Sequence, residues 1–393
     1  MRRVRVAGLL FLSFPVTVLG AGALYHEKKR PRMPPHHFHN DVANSTIVIT
    51  GSTSGIGAAA SLSLARFGAT LIIGSRDASR REETRSKLLA AGAKDVIALE
   101  LDMSSVKSVK SFCAAAVEAA TETQTGGIDV VLSAAAEIMT APTLSIDQYD
   151  QSFATNHLGL HVLLRQLESS LLRTAASAAA KEHRRRPRVV IIGSRLETKG
   201  SNILSVPTLK ATHGVKLSKY EPEKTGEEEE VEVHVEEDKA EKEETATAAA
   251  TKTVQILSPM DRYAATKYGN MLLAQSLYTK WGKNGPMICV LTPGMVNTSL
   301  WRNFPLWYRT LTYPLRKIAL RTAVEAAQGV VWAVASIEAE EEEEKKNQAA
   351  GTDTAGYMYL SDGVLIEPSK AARNEKLASD LFDFCDELMN KDT

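Results

Sequence analysis

The sequence predicts an α/β fold: one doubly wound, mostly parallel sheet of about seven strands with helices on both faces, preceded by an N-terminal hydrophobic anchor helix. Three observations predict it. Short β-branched runs alternate with longer helical stretches from Thr46 onward. The first of these runs opens directly onto a glycine-rich turn. The polar residues suited to chemistry cluster just after the strands, where open α/β sheets place their ligands.

The first element is Val6 to Tyr25, twenty residues without a charge. At 1.5 Å per residue it reaches ~30 Å, the thickness of a bilayer's hydrocarbon core. Arg2, Arg3 and Arg5 precede it, and Lys28, Lys29, Arg30 and Arg32 follow it. It reads as a membrane anchor with the rest of the chain on the cytosolic side. A cleaved signal peptide, with Ala21-Gly22-Ala23 as its cleavage site, is one alternative. A mitochondrial segment is another, since no acid precedes Glu27. Pro34-Pro35-His36-His37-Phe38-His39 reads as a spacer in preference to a metal site. Residues 1–40 thus form anchor and spacer, and 41–393 form the domain.

Strands are expected at Thr46–Thr50, Thr70–Gly74, Val96–Leu101, Asp129–Ser133, Arg188–Ile192, Met287–Leu291 and Tyr357–Leu360. Helices are expected to begin near Gly55, Ser79, Ser105, Ile146, Asp261 and Thr322. Two segments break the alternation. Residues 199–256 carry Glu227–Glu230, Glu236–Asp238 and Glu241–Glu244 with little apolar periodicity, and read as a disordered insertion. Within it Val231-Glu232-Val233-His234-Val235 alternates and suits a short edge hairpin. Glu338–Lys346 is a second acidic run, read as a solvated loop.

The turn after the first strand is Gly51-Ser52-Thr53-Ser54-Gly55-Ile56-Gly57, followed by Ala58-Ala59-Ala60. Glycines allow backbone to approach a phosphate, and the helix start behind them favours an anion. A strand, glycine turn and helix in this order suit a dinucleotide, although the spacing G-xxx-G-x-G differs from the commoner G-x-G-xx-G. Phosphate contacts are expected from Gly51, Ser52, Ser54, Gly55, Ile56 and Gly57. Far downstream, Tyr263 and Lys267 stand four apart on an expected helix and so share a face. An ammonium about 4 Å from a phenol, at an effective dielectric of ~20, favours the phenolate by roughly 4 kcal/mol. That would bring tyrosine toward use as a general acid–base.

TGSTSGIG and YAATK together resemble the short-chain dehydrogenase/reductase family, and most nearly its retinol-dehydrogenase-like, membrane-associated branch. Other segments resemble the family in the same order: LDMSS (Leu101–Ser105), TNHLGLHVLL (Thr155–Leu164), RVVIIGS (Arg188–Ser194), YAATKYGNMLLAQSL from Tyr263, TPGMVNT (Thr292–Thr298) and GYMYLSDGVLIEPS from Gly356. The resemblance implies a Rossmann-type domain and hydride transfer between a nicotinamide cofactor and an alcohol or its ketone or aldehyde. It implies Tyr263 as general acid/base, Lys267 as its partner, Ser194 as the residue orienting the carbonyl, and Asn156 as a water relay. It also implies cofactor contacts at Asp102, Met103, Ala135, Pro293, Gly294, Val296 and Thr298, besides Tyr263 and Lys267.

The second strand ends in Ser75-Arg76, with no carboxylate before Asp77. A guanidinium there suits a 2′-phosphate, so NADP(H) is favoured over NAD(H). One departure from the family stands out. Its Asn-Asn-Ala-Gly is here Ala134-Ala135-Ala136-Glu137. Glu137 is expected to require either positive φ or a shifted loop. This departure keeps a catalytically weak, cofactor-binding scaffold open as a reading. A carbon–carbon double-bond reductase on the same fold also stays open, because the tyrosine could protonate carbon.

Composition narrows the partners. Lys+Arg and Asp+Glu are both 47, which argues against nucleic acid. Three cysteines (Cys113, Cys289, Cys385) lack metal spacing, and no metal site is expected. Trp301, Phe304, Trp307, Tyr308 and Tyr313 stand among Arg302, Arg309, Arg316 and Lys317. This segment suits a lid, a membrane-interface element or a core-packed helix. The expected partners are a lipophilic small molecule (a retinoid, sterol or long-chain carbonyl) and a membrane, with a homodimer left open. The expected location is the endoplasmic reticulum membrane, facing the cytosol, with a mitochondrial membrane as the alternative.

Overall fold

The computed structural model describes residues 42–179, 185–202, 204, 230–232, 253–255, 257–335, 357–361 and 364–391. The expected anchor, the spacer, most of the acidic insertion and the run from Glu338 lie outside these residues. Among the described residues, no helix is long and apolar enough to cross a membrane.

The first half alternates strictly. Strand β1 (Thr46–Thr50) leads into α1 (Gly55–Arg66), β2 (Thr70–Ser75) into α2 (Ala78–Ala91), and β3 (Asp95–Glu100) into α3 (Val106–Thr121). Strand β4 (Val130–Ser133) is followed by a helical turn (Gln151–Phe153), a π-helical segment (Ala154–Leu158) and α4 (Gly159–Ala179). Then come β5 (Arg188–Ile192), a short α5 (Glu197–Gly200), β6 (Glu230–Glu232) and β7 (Thr253–Gln255). The chain continues with α6 (Pro259–Trp281), β8 (Met287–Thr292), a 3-10 turn (Ser299–Asn303), α7 (Leu306–Ala319) and α8 (Ala323–Ala335). It ends with β9 (Met358–Ser361), β10 (Val364–Ile366) and α9 (Glu375–Asn390).

The main sheet has eight strands in the order β10-β9-β8-β5-β4-β1-β2-β3. All pairs are parallel except β10 with β9. Strand order reverses at the β1–β4 boundary, which opens a crevice at the strands' carboxyl ends. Both faces are covered, so β1, β5 and β8 are buried at every position. Side chains alternate between two cores. Ile47 and Ile49 pack with Leu64 of α1 and Val330 of α8, whereas Val48 packs with Phe112 of α3, Leu163 of α4 and Leu272 of α6.

All seven expected strands are present within a residue or so. The eighth, β10, is a three-residue antiparallel edge too short for periodicity to reveal. The helix expected near Ile146 begins five residues later. Ile146 is exposed in a loop, and Asp150 caps the helix by accepting from Phe153 N at 2.9 Å. The edge hairpin forms in part, as β6 paired antiparallel with β7 in a separate ribbon. The insertion starts later than residue 199: Lys199 and Gly200 are helical, and Leu204 is buried. Helix α9 is not among the helices expected from sequence. It buries Leu381, Phe382, Cys385 and Leu388 against the core that α4 and α6 share.

Candidate active site

At the β1–β4 crevice a cavity of about 730 Å³ runs from the glycine turn to the start of α6. That size lies within the usual range for ligand pockets, about 300–1,000 Å³. Gly51 and Gly55 sit at φ +73° and +57°, a region that L side chains avoid. A Cβ on Gly57 would meet the Gly51 carbonyl oxygen at 2.3 Å, so only glycine lets the helix start this close to the turn. Ser54 precedes α1 without capping it by a side-chain bond, and Ser52 is buried with its hydroxyl unpartnered. The turn therefore keeps polar groups and a concave backbone for a phosphate-bearing ligand.

The rim at the end of β2 carries Ser75, Arg76, Asp77 and Arg80. Asp77 is committed elsewhere: its carboxylate caps α2 by accepting from Arg80 N at 3.0 Å. Arg76 lies 3.9 Å from Asp102, whose carboxylate also accepts from Ser104 N and Oγ at 2.9 and 2.8 Å. Arg80 escapes sequence reading, although its place four residues after Arg76 on a helix start is the available signal. On the opposite wall Pro293, Gly294, Val296 and Thr298 form a loop braced by Arg321. Arg321 donates its backbone N–H to Met295 O at 3.0 Å and its guanidinium to Pro293 O at 3.3 Å.

At the floor, Ser194 follows β5 and Tyr263 and Lys267 project from α6. Ser258 caps α6 by accepting from Asp261 N at 3.2 Å, with Pro259 in the first turn. Tyr263 is 6 % exposed, and the Ser194 side chain lies beside its phenol. Burial pushes this phenol well above its ordinary value, and the Ser194 side chain offsets only part of that. Lys267 is 3 % exposed, and burial pulls its ammonium down to about 8. Its Nζ donates to the Ile192 carbonyl at 2.8 Å and lies 5.5 Å from the Tyr263 ring centroid. The expected lowering of the tyrosine by lysine is thus not the dominant effect. Desolvation outweighs it, and Tyr263 is a neutral phenol, a proton donor.

Asn156 is brought beneath the floor but does not line the cavity. It sits in the π-helical segment, where one widened turn aims its side chain at the neighbouring loop. Its Oδ1 accepts from Glu137 N at 2.8 Å, and its Nδ2 donates to Glu137 O at 2.8 Å and Thr266 Oγ1 at 3.3 Å. The side chain is consumed in holding the Ala134–Glu137 loop to α6. Gly57 and Ser52 are likewise beneath the wall instead of in it. Every other expected site residue lines the cavity: Gly51, Ser54, Gly55, Ile56, Ser75, Arg76, Asp102, Met103, Ala135, Ser194, Tyr263, Lys267, Pro293, Gly294, Val296 and Thr298.

Glu137 needs no positive φ: among described residues other than glycine, only Gln148 has one. Glu137 is 5 % exposed, and its carboxylate is satisfied by Gln151 Nε2 at 2.8 Å, Thr155 Oγ1 at 2.7 Å and Arg302 Nη2 at 3.4 Å. Glu137 lines the cavity while tethering the Ser299–Asn303 turn across its mouth. Ile138, Met260, Leu300 and Leu320 add apolar wall that no motif announces.

A doubly wound sheet with a glycine turn at its switch point, and a serine beside a buried tyrosine and lysine at the cavity floor, suit a Rossmann-type oxidoreductase. The model of the short chain dehydrogenase family matches residues 45–206. Retinol dehydrogenase 14 of Homo sapiens is 24 % identical over 311 residues, 75 % of each chain. The WW domain-containing oxidoreductase of Gallus gallus is 25 % identical over 354 residues, 89 % of this chain and 69 % of that one. In fold, an uncharacterised protein from Mycobacterium paratuberculosis superposes with a TM-score of 0.53 at 20 % identity, covering 89 % and 94 % of the two chains. The NADH-dependent reductase A1-R′ complexed with NAD superposes at 0.50, with 19 % identity and 84 % and 100 % coverage. The family match and the relatives named retinol dehydrogenase support a place for the chain in the short-chain dehydrogenase/reductase family, on its retinol-dehydrogenase-like branch.

Proposed function

We propose that the protein is a membrane-anchored, NADP(H)-dependent oxidoreductase that interconverts a lipophilic alcohol and its ketone or aldehyde. The observation that carries this reading is the meeting of Ser194, Tyr263 and Lys267 at the floor of a cavity whose other end is the glycine turn. A nicotinamide dinucleotide, when bound, would supply or accept the hydride. The glycine turn, Thr298 and the Pro293–Gly294 loop would hold it. Ser194 would orient the carbonyl oxygen beside Tyr263, and the neutral phenol would give that oxygen its proton. In the oxidation direction the same group takes the proton back. Lys267, still largely charged near neutral pH, stabilises the phenolate that results.

Arg76 and Arg80, beside an Asp77 committed to capping α2, support a 2′-phosphate over a free ribose hydroxyl. Apolar wall at Met260, Leu300, Trp301 and Leu320 supports a lipophilic substrate. The uncharged stretch Val6–Tyr25 supports attachment to a membrane, proposed as that of the endoplasmic reticulum. A second reading, a cofactor-binding scaffold of weak activity, is favoured by one observation: the Glu137 carboxylate in the cavity wall.

The test is consumption of NADPH and of NADH by the full chain against retinoid, steroid and fatty aldehydes. Turnover with NADPH, lost by a factor of about 10² or more in Tyr263→Phe with nucleotide binding intact, is expected. Intact nucleotide binding with no turnover on any carbonyl would favour the scaffold. Full turnover by Tyr263→Phe would remove the mechanism.

A further inference from the structure

Helix α7 turns a broad apolar face to solvent. Ile318 is 85 % exposed, Leu306 70 %, Leu311 59 %, Trp307 57 % and Tyr313 54 %. Trp307, Leu311, Pro314 and Ile318 follow one another at helical spacing and so form a single stripe. The opposite face holds the helix to the protein through buried Thr312, Arg316 and Ala319. Arg316 lies 5.7 Å from the Trp301 ring, and Tyr308 stacks on Phe304 at 5.3 Å. The outward stripe is therefore surplus to the fold. Monomeric soluble domains rarely leave large apolar side chains contiguous in this way.

Charge points to what covers it. From Ser299 to Val324 the chain carries Arg302, Arg309, Arg316, Lys317 and Arg321 and no carboxylate. Arg302, Arg309 and Lys317 are exposed. This local excess stands in a chain whose overall charge is zero. Exposed tryptophan and tyrosine among basic residues on an amphipathic helix fit the boundary between headgroups and acyl chains of an anionic bilayer. The helix has fourteen residues, roughly 21 Å at 1.5 Å each, too short to cross a ~30 Å core. It fits a helix lying in the interface plane.

Its place in the fold adds a consequence. The Ser299–Asn303 turn precedes α7 and Leu320 follows it; Ser299, Leu300, Trp301, Arg302 and Leu320 all line the cavity. We propose that the outer face of α7, centred on Trp307, Leu311 and Ile318, docks on an anionic lipid surface and holds the cavity mouth at the membrane. A lipophilic substrate would then pass from bilayer to cavity without crossing water. That last consequence rests on the oxidoreductase reading; the docking surface does not.

The test uses the full chain with vesicles of phosphatidylcholine and about 30 % phosphatidylserine, an anionic content that attracts basic segments. Acyl chains carry bromine, which quenches tryptophan only within the bilayer. The Trp307 signal is the difference between the wild type and Trp307→Phe. Quenching of that signal is expected, with loss of it in Leu311→Glu/Ile318→Glu. Both of these side chains are largely solvent-exposed, so the double variant keeps the wild-type melting temperature. An unquenched Trp307 on a chain that still floats with the vesicles would overturn the proposal, because the face then points away from lipid. Quenching unaffected by the double substitution would overturn it too. So would a Trp307 emission that shifts with protein concentration in the absence of lipid, which assigns the face to a second copy. Activity is not needed for any of these readouts, so failure of the catalytic reading leaves the docking result intact.

Discussion

Replacing Lys267 with methionine should stabilise the protein near neutral pH. The ammonium is 3 % exposed, and burial lowers it from 10.5 to about 8. A gap of about 2.5 at 1.36 kcal/mol each corresponds to ~3 kcal/mol of charge burial borne by the fold. Methionine has similar length and keeps the packing, but it leaves the Ile192 carbonyl without its 2.8 Å donor, a loss of about 1 kcal/mol. The net gain is about 2 kcal/mol near pH 7, or roughly 4 °C in Tm for a chain of this size. The sign with pH follows from proton counts. Between about 8 and 10.5 the unfolded lysine binds more protons than the folded one, so wild-type stability rises with pH there. The variant's advantage is complete below about 8, shrinks through that window and above 10.5 turns into a deficit of about 1 kcal/mol, because the neutral amine still donates to Ile192 and methionine does not. Thermal melts followed by circular dichroism at a series of pH values measure it. A variant that melts below the wild type near pH 7, or whose advantage does not change with pH, refutes the reasoning. Turnover should fall in the same variant, the trade of stability for function common at active sites.

Other outcomes follow from single contacts. Gly57→Ala places a Cβ 2.3 Å from the Gly51 carbonyl, and should cost about 1–3 kcal/mol in denaturant titrations as well as weaken nucleotide binding. Glu137→Ala strands the donors of Gln151 and Thr155 and frees Arg302, so a loss of about 1–3 kcal/mol and faster proteolysis near Ser299–Asn303 are expected. Arg76→Ala should raise the KM for NADPH about tenfold or more while leaving that for NADH unchanged, in steady-state kinetics with both cofactors. Burial pushes the Asp386 carboxyl up, but hydrogen bonds from His161 and Arg165 outweigh this and hold it below the ordinary carboxylate value. Asp386 therefore contributes stability above that value, and the contribution is lost as pH falls through its folded one. Asp386→Asn should flatten the acid limb of the melting profile.

The strands and the glycine turn are legible because their signals are local. Five β-branched or apolar residues beside Gly51 and Gly55 encode strand and turn through sterics that act within a few residues. The Tyr263–Lys267 spacing is legible for the same reason, since helix geometry alone puts both on one face. Asn156 is the middle case. Its presence is plain in the sequence, but its work, clamping Glu137 through both ends of the amide, requires the π-helical turn and a loop nineteen positions away.

Sequence by itself determined the parallel sheet, the phosphate-suited turn and the identity of the residues at the floor, because each depends on backbone sterics or on fixed helical and strand periods. Tertiary structure decided the protonation of Tyr263 and Lys267, the ordinary backbone of Glu137, the docking of α9 and the outward face of α7. Each of these depends on how much water surrounds a side chain and which distant group meets it, and no run of neighbouring residues specifies either.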